Sequence, residues 1–79
     1  MSLAEEIKEK QVNSLLKLIG WFGSQKRLAA ELEVSKQVVS NWVSRGRISS
    51  SMAAKAQTIT KGEIKKEELR PDVLEWFYD

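Results

Sequence analysis

The stretch from Gln25 to Trp42, which reads QKRLAAELEVSKQVVSNW, constrains the fold more than any other part of the chain. Leu28 and Leu32 lie four residues apart in its first half, and Val39 and Trp42 lie three residues apart in its second half, and both spacings place side chains on one face of a helix. Each half therefore predicts a short helix with one apolar stripe. Because the halves are separated by only a few residues, the stripes are expected to face each other across a tight turn.

The residues between these stripes fit a close crossing of two helices. Ala29 falls where the helices would come nearest, and a small side chain there allows them to cross at roughly 90 to 120°. Val34 is expected to close the turn from the inside. Ser24 and Ser35 precede the two helices, where a serine oxygen can accept the unpaired N–H groups of a first turn. The unit is predicted to cover residues 24–43.

This packing leaves the outer face of the second helix without a structural role. Such a face fits the major groove, where glutamine pairs with adenine, lysine with guanine and an apolar group with the thymine methyl. The alternative is an ordinary solvated helix surface. The side chains expected to point outward and to contact bases are Lys36, Gln37, Val38, Ser40 and Asn41.

The stretch resembles the helix-turn-helix family of phage and bacterial repressors. In that family a glutamine opens the unit, an alanine follows four residues later, and Val-Ser opens the recognition helix. The matching residues are Gln25, Ala29, Val34 and Ser35. More narrowly, FGSQKRLAAELEVSKQVVSNWVSRGRIS and the later segment ELRPD are similar to the Cro-like, YdaS-type regulators, over roughly residues 20–76.

The resemblance implies an all-α bundle of about five helices, of the lambda-repressor-like type, that regulates transcription. The recognition helix, residues 35–43, would read a pseudo-palindromic double-stranded operator, and two copies would bind it as a homodimer. One residue departs from the family. Glu33 stands where glycine is frequent, because a positive φ is convenient there, and a side chain at that position costs about 1 kcal/mol.

Seven further residues are candidates for contacts with DNA phosphates. The family uses residues like Ser24 and Gln25 in this way, aided by the helix dipole, although Ser24 could equally be a plain cap. Arg45 and Arg47 flank Gly46, so a flexible loop could bring both guanidinium groups to the backbone. The full set is Ser24, Gln25, Lys26, Arg27, Ser35, Arg45 and Arg47.

The distribution of charge supports this interpretation more than the net charge of +2 does. Residues 24–60 carry six basic and two acidic side chains, a net of +4. Residues 61–79 carry four basic and six acidic ones, a net of −2, and are expected to face away from DNA. The chain has 79 residues, which predicts one domain, 1–79, with a small core.

Composition argues against other classes of function. The chain has no Cys and no His, so disulfides, the common metal sites and the usual general base are missing, and neither an enzyme nor a cofactor is expected. No apolar run is long enough to span a bilayer, and the first residues do not resemble a signal peptide. A cytoplasmic protein without membrane contact is expected.

Helices are also predicted outside the central unit. The first runs from about Ala4 to Ile19, is broken by Gly20 and Gly23, and leaves Trp21 and Phe22 to pack beneath the helix pair. Its expected core stripe is Ile7, Leu15, Leu16 and Ile19. A fourth helix, capped within Ser49–Ser51, carries Met52, Ala53, Ala56 and Ile59.

Two secondary structures are considered for the C-terminal segment, residues 61–79. Cro-type proteins end in either helix or β-hairpin, and the helix formers from Lys65 to Leu69 favour helix here. The aromatic run Trp76 to Tyr78 could fold back onto the domain or meet a second subunit. It also supports an alternative function, an antitoxin-like module whose acidic aromatic segment binds a protein partner. Single-strand stacking is disfavoured for Trp42, which belongs to a core stripe.

Overall fold

A computed structural model describes residues 2–73 and residue 76 of the chain. Within these residues the fold is all-α, as predicted, and contains five helices and no strand. They are α1 (Leu3–Phe22), α2 (Gln25–Leu32), α3 (Lys36–Arg45), α4 (Ser50–Ile59) and α5 (Lys66–Leu69). None of the helices so described is long and apolar enough to cross a membrane.

Serine caps define where four of the helices begin. The hydroxyl oxygens of Ser24, Ser35 and Ser49 accept the N–H groups of the residues three positions later, at 3.1, 3.2 and 3.4 Å. Ser2 caps α1 in the same way. These bonds satisfy amide groups that have no partner inside the helix. The three caps predicted from the sequence, at α2, α3 and α4, are confirmed.

One apolar core joins all five helices. Its largest fully buried side chain is Trp42 of α3. Helix α2 lies at the centre, since it packs against α1, α3 and α4, while α5 bridges α1 and α4. The buried apolar residues are Leu15, Leu18, Leu28, Ala29, Leu32, Val39, Trp42, Ile48, Ala53, Ala56, Ile64 and Leu69.

The crossing of α2 and α3 matches the sequence prediction. Ala29 is buried at 3 % exposure, and Leu28, Val39 and Trp42 are in the core. Val34 packs against that core from the turn. Helix α3 is therefore anchored by one side only, and its opposite side is left to solvent.

The predicted boundaries and core face of α1 were partly wrong. The helix continues through Gly20 to Phe22 and ends at Gly23, which has the left-handed φ of 97°. A glycine inside a helix weakens it without ending it, whereas a left-handed residue terminates it. Trp21 is 51 % exposed and does not pack beneath the helix pair, although Phe22 does contact the core.

The buried stripe of α1 also differs from the predicted one. It consists of Gln11, Ser14, Leu15 and Leu18. Leu16 is 53 % exposed, because neighbouring residues on a helix differ by about 100° in direction and Leu15 already faces the core. Of the other predicted members, Ile7 and Ile19 are half-buried.

The C-terminal segment is less helical than predicted. Helix α5 spans only four residues, Lys66–Leu69. Lys61 and Gly62, with φ of 54° and 82°, form a turn before it. Pro71 disfavours a helical conformation at Arg70, which has φ −136° and ψ 71°, so the helix ends there. Ile64 and Leu69 nevertheless enter the core with 0 % exposure.

The aromatic run folds back as far as the structure describes it. Trp76 is half-buried and packs against the core. The Nζ of Lys66 lies 4.6 Å from the centre of its ring, a cation–π distance. Phe77 and Tyr78 lie outside the described residues.

In the fourth helix the predicted apolar residues do face the core: Ala53 and Ala56 are buried, and Met52 and Ile59 pack against the core.

Glu33 has the left-handed conformation expected of the turn, with φ 59° and ψ 40°. We expect Glu33→Gly to raise the free energy of unfolding by about 1 kcal/mol, because glycine occupies this region without strain. The substitution also removes the exposed ion pair between Glu33 and Lys55, at 3.5 Å, which contributes about 0 to 1 kcal/mol, so the gain is measured relative to a variant that lacks the same pair. Urea denaturation followed by circular dichroism measures the change.

Glu33→Gln is the matched control, because it removes the charge and keeps the strained side chain. It should leave stability unchanged or slightly lower. A Glu33→Gly chain no more stable than Glu33→Gln would contradict the assignment of strain to this turn.

Candidate nucleic-acid interface

The outer face of α3 carries polar side chains that take no part in the core. Lys36, Gln37 and Asn41 are exposed, and Ser40 is half-buried. On the opposite side of the helix, Val39 and Trp42 are 0 % and 2 % exposed and hold α3 against the rest of the protein. This outer face, formed by Lys36, Gln37, Ser40 and Asn41, is called the α3 face below.

Val38 does not belong to the α3 face as fully as the sequence suggested. Its side chain is half-buried and packs against the core. Successive residues on a helix differ by about 100° in direction, so Val38 points between the exposed Gln37 and the buried Val39 and lies at the border of the α3 face. Only part of Val38 is available to a ligand.

Two hydrogen bonds order the α3 face. The Ser40 hydroxyl donates to Oε1 of Gln25, the first residue of α2, at 3.2 Å. The Nε2 of Gln37 donates to Oδ1 of Asn41 at 3.0 Å. The single O–H donor of Ser40 is thereby used in a hydrogen bond within the protein, while the amide group of Gln25 keeps its two N–H donors. Sequence reasoning nominated all four residues but not these pairings.

The starts of α2 and α3 supply the next candidates. The hydroxyl oxygens of Ser24 and Ser35 accept backbone N–H groups as caps. A hydroxyl that accepts in this way still has its own proton to donate, so the cap and a phosphate contact are compatible. Lys26 and Arg27, in the first turn of α2, are exposed. The helix dipole adds positive potential at both positions.

The basic loop after α3 lies between two open clefts. Arg45 ends α3, Gly46 has a left-handed φ of 82°, and Arg47 follows. Both arginines are exposed and line both clefts. The larger cleft, of about 520 Å³, is closed on its other side by α1 residues that include Lys8. The smaller one leads to Ser49 and Ser50 at the start of α4.

Arg70 and Asp72 support this loop, and sequence reasoning assigned them no role. The Arg70 guanidinium donates to Asp72 through two nitrogens, each at 2.9 Å, and to the carbonyl oxygen of Ile48 at 3.0 Å. Gln11 of α1 also donates to Asp72, at 2.8 Å. The spacing Arg-Pro-Asp was the available signal, because a proline turn can bring its flanking side chains together.

Asp72, in the acidic C-terminal segment, lies beside the basic loop. This carboxylate lines the same cleft as Arg45 and Arg47. The physical reason is the turn at Pro71, which directs the chain back to α1 and the loop. Asp72 therefore lowers the positive potential of the cleft while its partner Arg70 braces the loop backbone.

Asp72 predicts a pH dependence of stability. Hydrogen bonds from Arg70 lower the pKa of Asp72 to about 2, below the ordinary value of 3.8. A carboxyl group with a depressed pKa stabilises the fold fully above about pH 4, and the contribution is lost as the pH falls towards 2. We expect Asp72→Asn to flatten the decline in the urea midpoint between pH 4 and pH 2. Glu63→Gln removes an exposed carboxyl group elsewhere and is the matched control; equal acid profiles for the two variants would refute the assignment.

A metal site is not apparent in residues 2–73 and 76, where no group of three or more acidic, histidine or cysteine side chains is arranged to hold an ion. The chemistry that the interface does offer consists of amide, hydroxyl and cationic hydrogen-bond donors. These groups match phosphate oxygens and the edges of bases.

Comparison with known proteins identifies the family of the chain. A family model described as the bacterial toxin YdaS matches residues 15–77. The chain is also 45 % identical over 56 residues to a protein named regulatory protein cro from Pseudomonas phage D3, an alignment that covers 68 % of this chain and 75 % of the phage protein. No solved structure gives a significant match. The chain belongs to the Cro-like, YdaS-type family of phage regulators.

Proposed function

We propose that this chain is a transcriptional regulator that binds double-stranded DNA with the α3 face in the major groove. The observation that carries the proposal is the division of α3. Val39 and Trp42 anchor one side in the core, whereas the other side presents Gln37, Asn41 and Lys36 to solvent. An exposed helix with amide and cationic side chains fits the dimensions and the hydrogen-bond pattern of the major groove.

The phosphate contacts are assigned to the edges of this surface. Ser24, Gln25, Lys26 and Arg27 lie at the start of α2, and Ser35 caps α3. Arg45 and Arg47 lie at the opposite end of α3, so the α3 face is bracketed by donors on both sides. Contacts of this kind fix the orientation of the protein on DNA, and the base contacts supply the discrimination.

Repression by a homodimer completes the proposal. Two copies would occupy half-sites of a pseudo-palindromic operator about one DNA turn apart and exclude polymerase from the promoter. The relative named regulatory protein cro supports a regulatory role for this chain. We assign it no catalytic chemistry.

Selection of bound sequences from a random pool of duplex DNA tests the proposal directly. We expect enrichment of one motif repeated with two-fold symmetry, with a centre-to-centre spacing of about 10 base pairs. Recovery of unenriched sequences would reject sequence-specific binding. Enrichment of an unrepeated motif would retain the DNA-binding role and reject the dimer.

Arg47→Ala tests the phosphate set separately. If Arg47 contacts one phosphate, the variant should weaken binding to operator and scrambled DNA alike, and lower the slope of log K against log salt by about 0.9. Lys61→Ala removes the same charge at the far end of α4 and is the control. Equal salt slopes for the two variants would exclude Arg47 from the interface.

The antitoxin-like alternative receives less support. Trp76 packs against the core, and Asp72 is bonded to Arg70 and Gln11, so two residues of the acidic aromatic segment already have partners inside the protein. The support that the alternative has is the description of the family as a bacterial toxin. Substitutions are needed to test it, since removal of the segment would also remove the buried Ile64 and Leu69.

A further inference from the structure

Gln37 and Asn41 form a side-chain hydrogen bond on the exposed α3 face. The two side chains lie one helical turn apart, both are exposed, and the Nε2 of Gln37 is 3.0 Å from Oδ1 of Asn41. Water competes for both groups, so such a pair stabilises a helix only slightly. Its larger effect is to restrict the directions in which the two amide groups point.

The groups that remain free define what the pair can recognise. Gln37 spends one N–H on Asn41 and keeps a second N–H and the carbonyl oxygen Oε1. A donor and an acceptor side by side on one carboxamide match N7 and the N6 amino group of adenine. Asn41 has its Oδ1 engaged, and its Nδ2 group can only donate.

The Ser40 hydroxyl does not form a hydrogen bond with either Gln37 or Asn41. Its hydroxyl proton is given to Oε1 of Gln25, on the neighbouring helix. Among the described residues neither Gln37 nor Asn41 has another side-chain partner. The two amides are therefore oriented by each other.

We propose that Asn41 is a positioning residue that holds the Gln37 carboxamide in the orientation that reads adenine. The two side chains then act as one reading unit directed at one base pair, and not as two independent base contacts. This inference rests on the proposed function and adds to it a mechanism of base discrimination. Its result is a coupling between positions 37 and 41 that separate contacts would not have.

The experiment measures binding of the full chain to a duplex selected from the random pool and to the variants of that duplex at each base pair. Gln37→Ala identifies the base pair that Gln37 reads, where we expect a parental preference of about 5- to 150-fold. Asn41→Ala should reduce the preference at that same base pair by about twofold or more. The double variant should show no further loss of that preference beyond Gln37→Ala.

Asn41→Asp separates positioning from direct reading. Aspartate keeps an oxygen that can accept from Gln37, but it loses the Nδ2 donors and adds a negative charge. Binding to every duplex should weaken, while the preference at the Gln37 base pair is retained. Ser44→Ala, at another exposed position of α3, is the control and should keep the parental preference.

A second measurement needs no DNA. In the free protein, Asn41→Ala should shift the nuclear magnetic resonance signals of the Gln37 side-chain amide, and Ser44→Ala should not. Unshifted signals, additive losses at positions 37 and 41, or a preference lost at a different base pair for Asn41→Ala would each overturn the inference. Absence of any preferred sequence for the parent chain would instead reject the proposed function, while the amide signals would still report on the pair.

Discussion

Trp42→Ala is expected to lower the free energy of unfolding by about 3 to 5 kcal/mol. Trp42 is 2 % exposed and is the largest side chain in the core that joins all five helices. A domain of this size has a total stability of about 4 to 12 kcal/mol, so the variant should be largely unfolded or close to it at 37 °C. Urea denaturation followed by circular dichroism measures the loss.

Trp21→Ala provides the matched comparison. Trp21 is 51 % exposed, and its removal should change stability by no more than about 0.5 kcal/mol. If Trp42 served to stack on single-stranded bases, Trp42→Ala would keep the parental stability and lose affinity for single strands. If the unfolding midpoint of Trp42→Ala equalled that of Trp21→Ala, the placement of Trp42 in the core would be contradicted.

Gly46→Ala should destabilise the fold by about 1 to 3 kcal/mol, for two separate reasons. Gly46 has a φ of 82°, which an alanine adopts only with strain. A Cβ atom at this position would also lie 3.0 Å from Cγ2 of Val12 on α1, closer than ordinary contact. Either the Val12 side chain or the loop that carries Arg45 and Arg47 would have to shift by a few tenths of an ångström.

Gly62→Ala isolates the first of these reasons. Gly62 has the same φ of 82°, but no atom lies within 4 Å of the position that a Cβ would occupy. It should cost only the backbone term, about 1 kcal/mol. Equal losses of stability for Gly46→Ala and Gly62→Ala would show that the Val12 side chain moves aside without cost. In that case, adding Val12→Ala to Gly46→Ala should not restore any stability.

The central unit was predictable because its determinants are local. Ser24 and Ser35 cap helices through amide groups three residues away, and the spacing of Leu28, Leu32, Val39 and Trp42 sets an inward side within each short helix. Capping and periodicity act within one or two turns. The left-handed residues at Glu33 and Gly46 follow from the same short-range pattern.

Other parts depended on packing between distant segments. In α1, which has apolar residues on several sides, the choice of Leu15 and Leu18 over Leu16 was made by contact with α2 and α5. The turn after α4 was expected at Thr60 to Glu63, but the contacts that hold it depend on packing as well. Thr60 is 2 % exposed, and its hydroxyl donates to Ala56 O and accepts from Ile64 N, which brings Ile64 into the core.

The amino-acid sequence by itself determined the two crossed helices, their caps and the residues that α3 turns away from the core. Tertiary structure alone decided that Asp72 returns to the cleft of Arg45 and Arg47, and that Gln25 meets Ser40 across two helices. The difference has one physical cause. Helix direction and capping are set by interactions over a few residues, whereas the meeting of Asp72 with Gln11, 61 positions away, exists only once the core has closed.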